Sequence, residues 1–110
     1  MAFELFQSEK TSKYYFRLKA KNGQIILASE AYEQKAGAQN GIASVKENSQ
    51  QDERFERRKA KNGEDYFVLK AGNGQIIGKS EMYKSSSSME NGIRSVKENA
   101  KSGDYKDLTA

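Results

Sequence analysis

Two copies of one short motif carry the side chains best suited to chemistry. Ser29-Glu30-x-Tyr32 and Ser80-Glu81-x-Tyr83 each combine a hydroxyl, a carboxylate and a phenol. Such a set could bind a polar ligand, or could use the serine as a nucleophile if a general base activated it. The chain has no histidine, so only a lysine or a carboxylate could be that base. We therefore interpret both motifs as structural, with serine and glutamate satisfying backbone groups near a turn and tyrosine packing under a helix.

The absence of whole residue types narrows the function further. The sequence contains neither cysteine nor histidine, which excludes disulfides, zinc-cysteine sites and the commonest metal ligand. No phosphate-binding loop is recognisable either. We expect no catalytic residue, no metal and no cofactor, and the protein is not expected to be an enzyme.

The strongest candidate for a binding site is a set of tyrosines that alternate with cationic residues. Five of these residues are predicted to project from the solvent-exposed face of adjacent strands: Tyr15, Arg17, Lys19, Tyr66 and Lys70. Aromatic rings can stack on bases while cations neutralise phosphates. The alternative is that exposed strand positions carry these residue types for β-propensity and solubility alone. The net charge of +4 and the pI of about 9.2 permit weak affinity for nucleic acid or another polyanion without requiring it.

A second basic group lies near the start of the second half of the chain. It comprises Arg54, Arg57, Arg58, Lys59 and Lys61, and it could form an anion-binding edge. If Phe55 points to the core, Arg57 lies on the same side of its strand. Glu53, Glu56 and Glu64 are close in sequence, so we favour a solvated ion-pair network over a dedicated site. Arg57 and Arg58 remain candidates for anion binding.

The sequence that carries these residues contains an internal duplication. Residues 15–26 recur as 66–77 and residues 40–48 recur as 91–99, both at an offset of 51. We divide the chain into repeat one, residues 1–51, and repeat two, residues 52–110. Half of a 110-residue chain is about as short as an unaided fold can be, so the repeats should share one core. The expected molecule is a single domain, a monomer that is internally a pseudo-dimer.

Each repeat is predicted to be a three-stranded meander followed by a helix. Asn62-Gly63 suits the positive φ angles of a tight hairpin turn. After the third strand the apolar period lengthens to between three and four, with Ala38, Ile42 and Val45 in repeat one. The serine run Ser85–Ser88 is interpreted as a helix start, with Ser87-x-x-Glu90 as a capping box. Gly41 and Gly92 inside the helices indicate close packing of the helix backbone.

Assembled, the elements predict an α+β fold. Two meanders side by side would form a six-stranded antiparallel sheet with both helices on one face and a pseudo-twofold axis between the halves. Residues 104–108 could add a short edge strand. No apolar run is long enough to cross a membrane, and the N-terminus does not look like a signal peptide, so we expect a cytoplasmic protein with no membrane partner.

The combined motifs resemble the YegP-like family of small bacterial proteins. The resemblance rests on the Tyr-Phe-x-Leu-Lys-Ala strand, the Ser-Glu-x-Tyr junction and the Asn-Gly-Ile-x-Ser-Val-Lys helix, and it covers nearly the whole chain. It implies tandem β-β-β-α units around one sheet, with C-terminal strands exchanged between units. It implies no function and no active-site residues.

We therefore predict a non-catalytic binding module whose ligand is single-stranded nucleic acid or another polyanion. The alternative is a protein-interaction or stress-related accessory domain that does not bind nucleic acid.

Overall fold

The computed structural model describes residues 2–109, and its strands and helices follow the predicted order. Its elements are β1 (Phe3–Gln7), β2 (Tyr14–Lys19), β3 (Ile25–Ala28), α1 (Lys35–Asn48), β4 (Phe55–Lys59), β5 (Asp65–Lys70), β6 (Ile76–Lys79), α2 (Ser86–Asn99) and β7 (Tyr105–Asp107), with a 3-10 turn (Asp52–Arg54) before β4. None of the helices in this part of the chain is long and apolar enough to cross a membrane.

The strands form one sheet in the order β4-β5-β6-β3-β2-β1-β7. The first six strands in this order pair antiparallel, as predicted. The seventh, β7, pairs parallel with β1, with Phe3 opposite Tyr105. It belongs to repeat two by sequence and extends the half of the sheet built by repeat one, so a short C-terminal strand is exchanged between the repeats.

A pseudo-twofold axis passes between β3 and β6. These strands meet through Ala28 and Lys79, which are 51 positions apart and therefore equivalent residues of the two copies. Both helices lie on one face of the sheet. Helix α1 contacts β1 and β2 of its own repeat as well as β5 and β6 of the other, and α2 likewise reaches β2 and β3. The two repeats thus share one core.

Alternation along the strands decides which side chains enter that core. Phe16 and Leu18 of β2 are buried, as are Phe67 and Leu69 of β5. They pack against the apolar stripes of the helices, which end in Val45 and Val96. Strands with a period of two bury one face only, so the opposite face is left for solvent.

Two local expectations need correction. Within the Asn62-Gly63 turn only the glycine has a positive φ, at 87°, while the Asn62 side chain accepts a hydrogen bond from the Glu64 amide at 3.0 Å. The helix α2 is capped by Ser85, not Ser87: its hydroxyl accepts from the Ser88 amide at 3.1 Å. The serine run does start the helix.

Candidate binding face

The sheet surface opposite the helices, called here the open face, is crossed by a single row of cross-strand neighbours. The row takes one residue from each strand, and within residues 2–109 no helix covers it. Reading from β7 to β4, the row consists of Lys106, Glu4, Arg17, Ala28, Lys79, Val68 and Glu56.

All five residues of the predicted tyrosine and cation pattern lie on the open face, in two groups. Tyr15, Arg17 and Lys19 come from β2, whereas Tyr66 and Lys70 come from β5. The expectation that they project from adjacent strands is wrong, because β3 and β6 lie between β2 and β5. With about 4.8 Å between strands and about 3.3 Å per residue, Tyr15 and Tyr66 lie about 20 Å apart across the pseudo-twofold axis.

Each group is organised by one carboxylate. Glu4 accepts from Arg17 Nε at 2.7 Å and lies 3.3 Å from Lys19 Nζ. The hydrogen bond from Arg17 is the largest of the effects that together lower the pKa of Glu4. One carboxylate therefore holds two cations, and the cluster keeps one excess positive charge.

Glu56 holds two cations in repeat two, as Glu4 does in repeat one. It accepts from Lys70 Nζ at 2.8 Å and pairs with Arg58. Hydrogen bonds from Lys70 and then Arg58 lower the pKa of Glu56. The two clusters are near-symmetric copies: Lys19 and Lys70 are equivalent residues, whereas the other cation is Arg17 on β2 in repeat one and Arg58 on β4 in repeat two.

Cations outnumber carboxylates on the open face. Its strands bear six cations, Arg17, Lys19, Arg58, Lys70, Lys79 and Lys106, and two carboxylates, Glu4 and Glu56. Glu30 adds a third carboxylate at the edge of the face, so six cations against three carboxylates leave an excess of three positive charges among these residues. An anion approaching the molecule is attracted to this face.

Aromatic rings lie at two corners of the face. In repeat one Tyr15 stacks on Phe6, with ring centroids 5.6 Å apart and planes inclined by 16°, and the Arg17 guanidinium lies 4.5 Å from the Phe6 centroid. In repeat two Lys79 Nζ lies 5.1 Å from the Tyr66 ring centroid. This arrangement can present rings and cations to a planar, negatively charged ligand.

Sequence reasoning missed Glu4, Phe6, Lys79 and Lys106 as members of the face. Glu4 and Phe6 alternate with buried Phe3 and Leu5, a signal that was available. The place of Lys79 depends on the pairing of β3 with β6, which no local pattern reveals.

Arg57 and Arg58 point to opposite faces of the sheet. Arg57 lies on the helix side, where its Nε donates to Glu90 Oε2 of α2 at 2.8 Å and its Nη2 lies 3.3 Å from Asp52 Oδ1. Hydrogen bonds to Glu90 and Asp52 raise the pKa of Arg57. Arg57 is thus part of an ion-pair network, the interpretation favoured from sequence, while Arg58 belongs to the open face.

The duplicated serines have structural partners. Ser29 Oγ accepts from the Phe16 amide at 2.9 Å and donates to the Glu30 carbonyl at 2.9 Å. Ser80 makes the same two bonds, to the Phe67 amide and the Glu81 carbonyl. Each hydroxyl ties the second strand of its meander, β2 or β5, to the loop after the third strand, and both of its bonds are to backbone groups.

The tyrosines of the same motifs lie beneath the helices. Tyr32 stacks on Phe16 with centroids 6.1 Å apart, and Tyr83 stacks on Phe67 at 6.3 Å. Burial, and secondarily the nearby Glu30 and Glu81, raise the pKa of both phenols. Among residues 2–109, no group of three or more acidic side chains is arranged to hold a metal ion.

Comparison with known proteins finds the same duplication. A family model described as "Domain of unknown function (DUF1508)" matches twice, at residues 10–56 and 60–107. The chain is 54% identical over 107 residues to UPF0339 protein YegP of Escherichia coli O157:H7, covering 97% of this chain and 96% of that protein. It is 53% identical over 107 residues to UPF0339 protein ACIAD0721 of Acinetobacter baylyi, with the same coverage.

Two solved structures are similar to the whole fold. The solution NMR structure of UPF0339 protein SO3888 from Shewanella oneidensis is 50% identical, with a TM-score of 0.91 and coverage of 99% of this chain and 93% of that one. The solution NMR structure of the protein of unknown function yegP from E. coli is 52% identical, with a TM-score of 0.92 and coverage of 98% and 92%.

Proposed function

This chain belongs to the family described as Domain of unknown function (DUF1508), and we propose that it is a non-catalytic module that binds single-stranded nucleic acid through the open face. The observation that carries the proposal is the concentration of cations on one uncovered sheet face that also presents aromatic rings. Single-strand binders combine these two elements, a cationic track for the backbone and rings on which bases stack.

The geometry sets the length of strand that would use the face fully. Tyr15 and Tyr66 lie about 20 Å apart, as the strand spacing requires. One strand that stacks a base on each ring must span several nucleotides, within the range of about 4 to 16 that small single-strand-binding folds occupy. The face would therefore bind oligonucleotides far better than dinucleotides.

The carboxylates moderate this affinity. Glu4 and Glu56 each occupy donors of two cations, so a phosphate must compete with them for Arg17, Lys19, Lys70 and Arg58. Their position also keeps these flexible cations in place before a ligand arrives. Weak, strongly salt-dependent binding is the expected result.

Catalysis is not part of the proposal. The hydroxyls of Ser29 and Ser80 each accept from a backbone amide and donate to a backbone carbonyl, so neither hydroxyl proton is directed to a side-chain base.

A protein-interaction domain is the second candidate, and one observation favours it. Strand β4 is the outer strand at one end of the sheet, so its outer edge could accept an extended peptide. Arg57, Arg58 and Lys59 on this strand are the kind of charged residues that discourage unspecific pairing, and they would select an acidic peptide.

Fluorescence anisotropy with labelled single strands of two, six and twelve nucleotides tests the first candidate. We expect affinity to rise with length and to fall as salt rises, because bound cations release counterions from the phosphates. Affinity that is equal for all three lengths, or that does not respond to salt, contradicts the proposal.

A further inference from the structure

A cleft of about 390 Å³ opens on the open face beside the pseudo-twofold axis, where β5 and β6 meet the loop after β3. Its floor is formed by Val68 and Ile76, one wall by Tyr66, and its rim by Arg58, Lys79 and Glu30. This volume is at the lower end of the range of about 300 to 1,000 Å³ that small-molecule sites occupy. It suits a ligand with one or two rings.

The floor is apolar on a face that is otherwise charged. Val68 is only 2% exposed, although it lies opposite the helices and outside the core cluster beneath them. A register shift between Leu69 and Lys70 pairs Ile76 with Lys70 and so turns Ile76 onto the open face. Ile76 and the Tyr66 ring, with buried Val68 packed beneath them, thus provide an apolar surface for a flat ligand.

The two repeats differ at this place, and the difference creates the cleft. Val68 is the equivalent of Arg17, Lys79 of Ala28, and Arg58 of Phe6. In repeat one the Arg17 side chain lies over Phe6 and pairs with Glu4, which fills the corresponding space. In repeat two Val68 is itself covered by its neighbours, and the cleft opens beside it, between Tyr66, Ile76 and Lys79.

The charges around the cleft favour an anion on one side. Among the salt bridges of residues 2–109 none involves Lys79, and its ammonium lies over the Tyr66 ring. Arg58 places a second cation beside the Tyr66 ring, although the Arg58 guanidinium also pairs with Glu56. Glu30 is exposed at the rim, where its carboxylate could accept a hydrogen bond from an N–H group of the ligand.

We propose that this cleft is a site for one small aromatic anion, a planar ring that carries a single phosphate or carboxylate. The ring lies on Ile76 against Tyr66, at the edge of Val68, and the anionic group meets Lys79 and Arg58. The site belongs to repeat two alone, and it requires no binding of a long strand, so it stands apart from the function proposed above.

NMR amide-shift titrations with four probes test the site: adenosine 5′-monophosphate, 2-aminobenzoate, adenosine and inorganic phosphate. We expect saturable shifts around Tyr66, Val68 and Lys79 with the monophosphate, with 2-aminobenzoate or with both. Binding of one of these two alone identifies phosphate or carboxylate as the anionic group. Adenosine lacks the anion and phosphate lacks the ring, so each should bind at least about tenfold more weakly.

Two variants that introduce the repeat-one residue sharpen the test. Val68→Arg and Lys79→Ala should each lower the affinity for the small ligand by about tenfold or more, because the first fills the cleft and the second removes the unpaired cation. Lys106→Ala and Tyr15→Ala, on the same face outside the cleft, should change affinity by less than about twofold. Val68→Arg adds a cation, so it should strengthen single-strand binding while it abolishes binding of the small ligand.

Several results would overturn the site. Phosphate or adenosine binding as tightly as the monophosphate would show that no combined ring and anion site exists. Equal losses in Lys106→Ala and Lys79→Ala would indicate a diffuse charge effect. The absence of a saturable shift with any probe in the millimolar range would also reject it, whatever the result with single strands.

Discussion

The hydroxyl of Tyr32 lies directly beneath Gly41, so that a β-carbon at position 41 would come within 2.5 Å of the tyrosine oxygen and 2.6 Å of the Phe16 ring. Gly92 has the same relationship to Tyr83 in repeat two. The Ser-Glu-x-Tyr motif and the Asn-Gly pair of the helix are thus two halves of one contact. The duplicated phenols therefore have a packing role.

Alanine at either glycine should destabilise the protein. Helix propensity favours alanine over glycine by about 1 kcal/mol, but overpacking of a filled core costs typically about 1 to 3 kcal/mol, and here the neighbours are rings. We expect Gly41→Ala to lower the free energy of unfolding, as measured by urea denaturation. Tyr83→Phe should reduce the cost of Gly92→Ala, and a Gly92→Ala variant as stable as wild type would contradict the contact.

Repeat one should not fold alone as a monomer. Helix α1 packs on β5 and β6 as well as on its own strands, so a chain that ends at Gln50 loses part of its core. We expect this chain to be unfolded, or to dimerise and replace the missing repeat with a second copy. Light scattering and amide chemical shifts distinguish these states, and a stable monomer with native shifts would refute the shared core.

Strand β7 should loosen in acid. Asp107 Oδ2 lies 2.5 Å from Lys35 Nζ on α1, and hydrogen bonds from Lys35 and then Thr109 lower the pKa of Asp107 to about 2. A carboxyl whose pKa is lowered by folding stabilises above its unfolded value of 3.8, and this contribution is lost as pH falls toward 2. Hydrogen exchange at Leu108, whose amide donates to the Leu5 carbonyl, should rise over this range.

Lys35→Ala should raise the pKa of Asp107 toward its ordinary value and should speed exchange at Leu108 already at neutral pH. Lys101→Ala is the matched control, because Lys101 pairs with Glu98 away from β7. An Asp107 pKa that stays near 2 in Lys35→Ala would show that Thr109 alone accounts for the shift.

Neutralising the open-face carboxylates should strengthen polyanion binding. Glu4→Gln and Glu56→Gln each add one positive charge to the face and release two cations from their shared partner. We expect a several-fold gain in affinity for a twelve-nucleotide single strand at low salt, with a steeper salt dependence. Glu98→Gln is the control, because it changes the net charge of the protein by the same amount but lies on α2. An equal gain in affinity in that variant would mean that the position of the added charge on the open face does not matter.

The local sequence pattern predicted much of this fold. The features that it did not predict depend on pairing between elements that are distant in the sequence. The alternation in β2 and β5 placed Phe16 and Tyr15 on opposite faces, and the helical glycines correctly indicated close packing. The separation of Tyr15 from Tyr66, the Arg57–Glu90 pair and the parallel direction of β7 depend on which distant elements meet. A one-dimensional pattern holds no such information, so these features required the structure.

The cleft beside Val68 was beyond sequence reasoning for a related reason. Comparing the repeats shows that valine replaces arginine, but whether the vacated space closes depends on the packing of Tyr66, Ile76 and Lys79 around it. The cap at Ser85 was missed because four consecutive serines offer equivalent starts, and only the geometry of the preceding loop selects one.

An amide-shift titration of the intact protein with a twelve-nucleotide single strand, at low and at high salt, tests the central claim most directly. We expect resonances of Tyr15, Arg17, Lys19, Tyr66 and Lys70 to move together at low salt, and affinity to fall as salt rises. Alanine at Tyr15 and Tyr66 should cost about 1 to 3 kcal/mol per stacked base with little change in salt slope, whereas alanine at Arg17 and Lys70 should flatten the slope. No shift at low salt, or shifts confined to residues 54–61, would contradict binding through the open face.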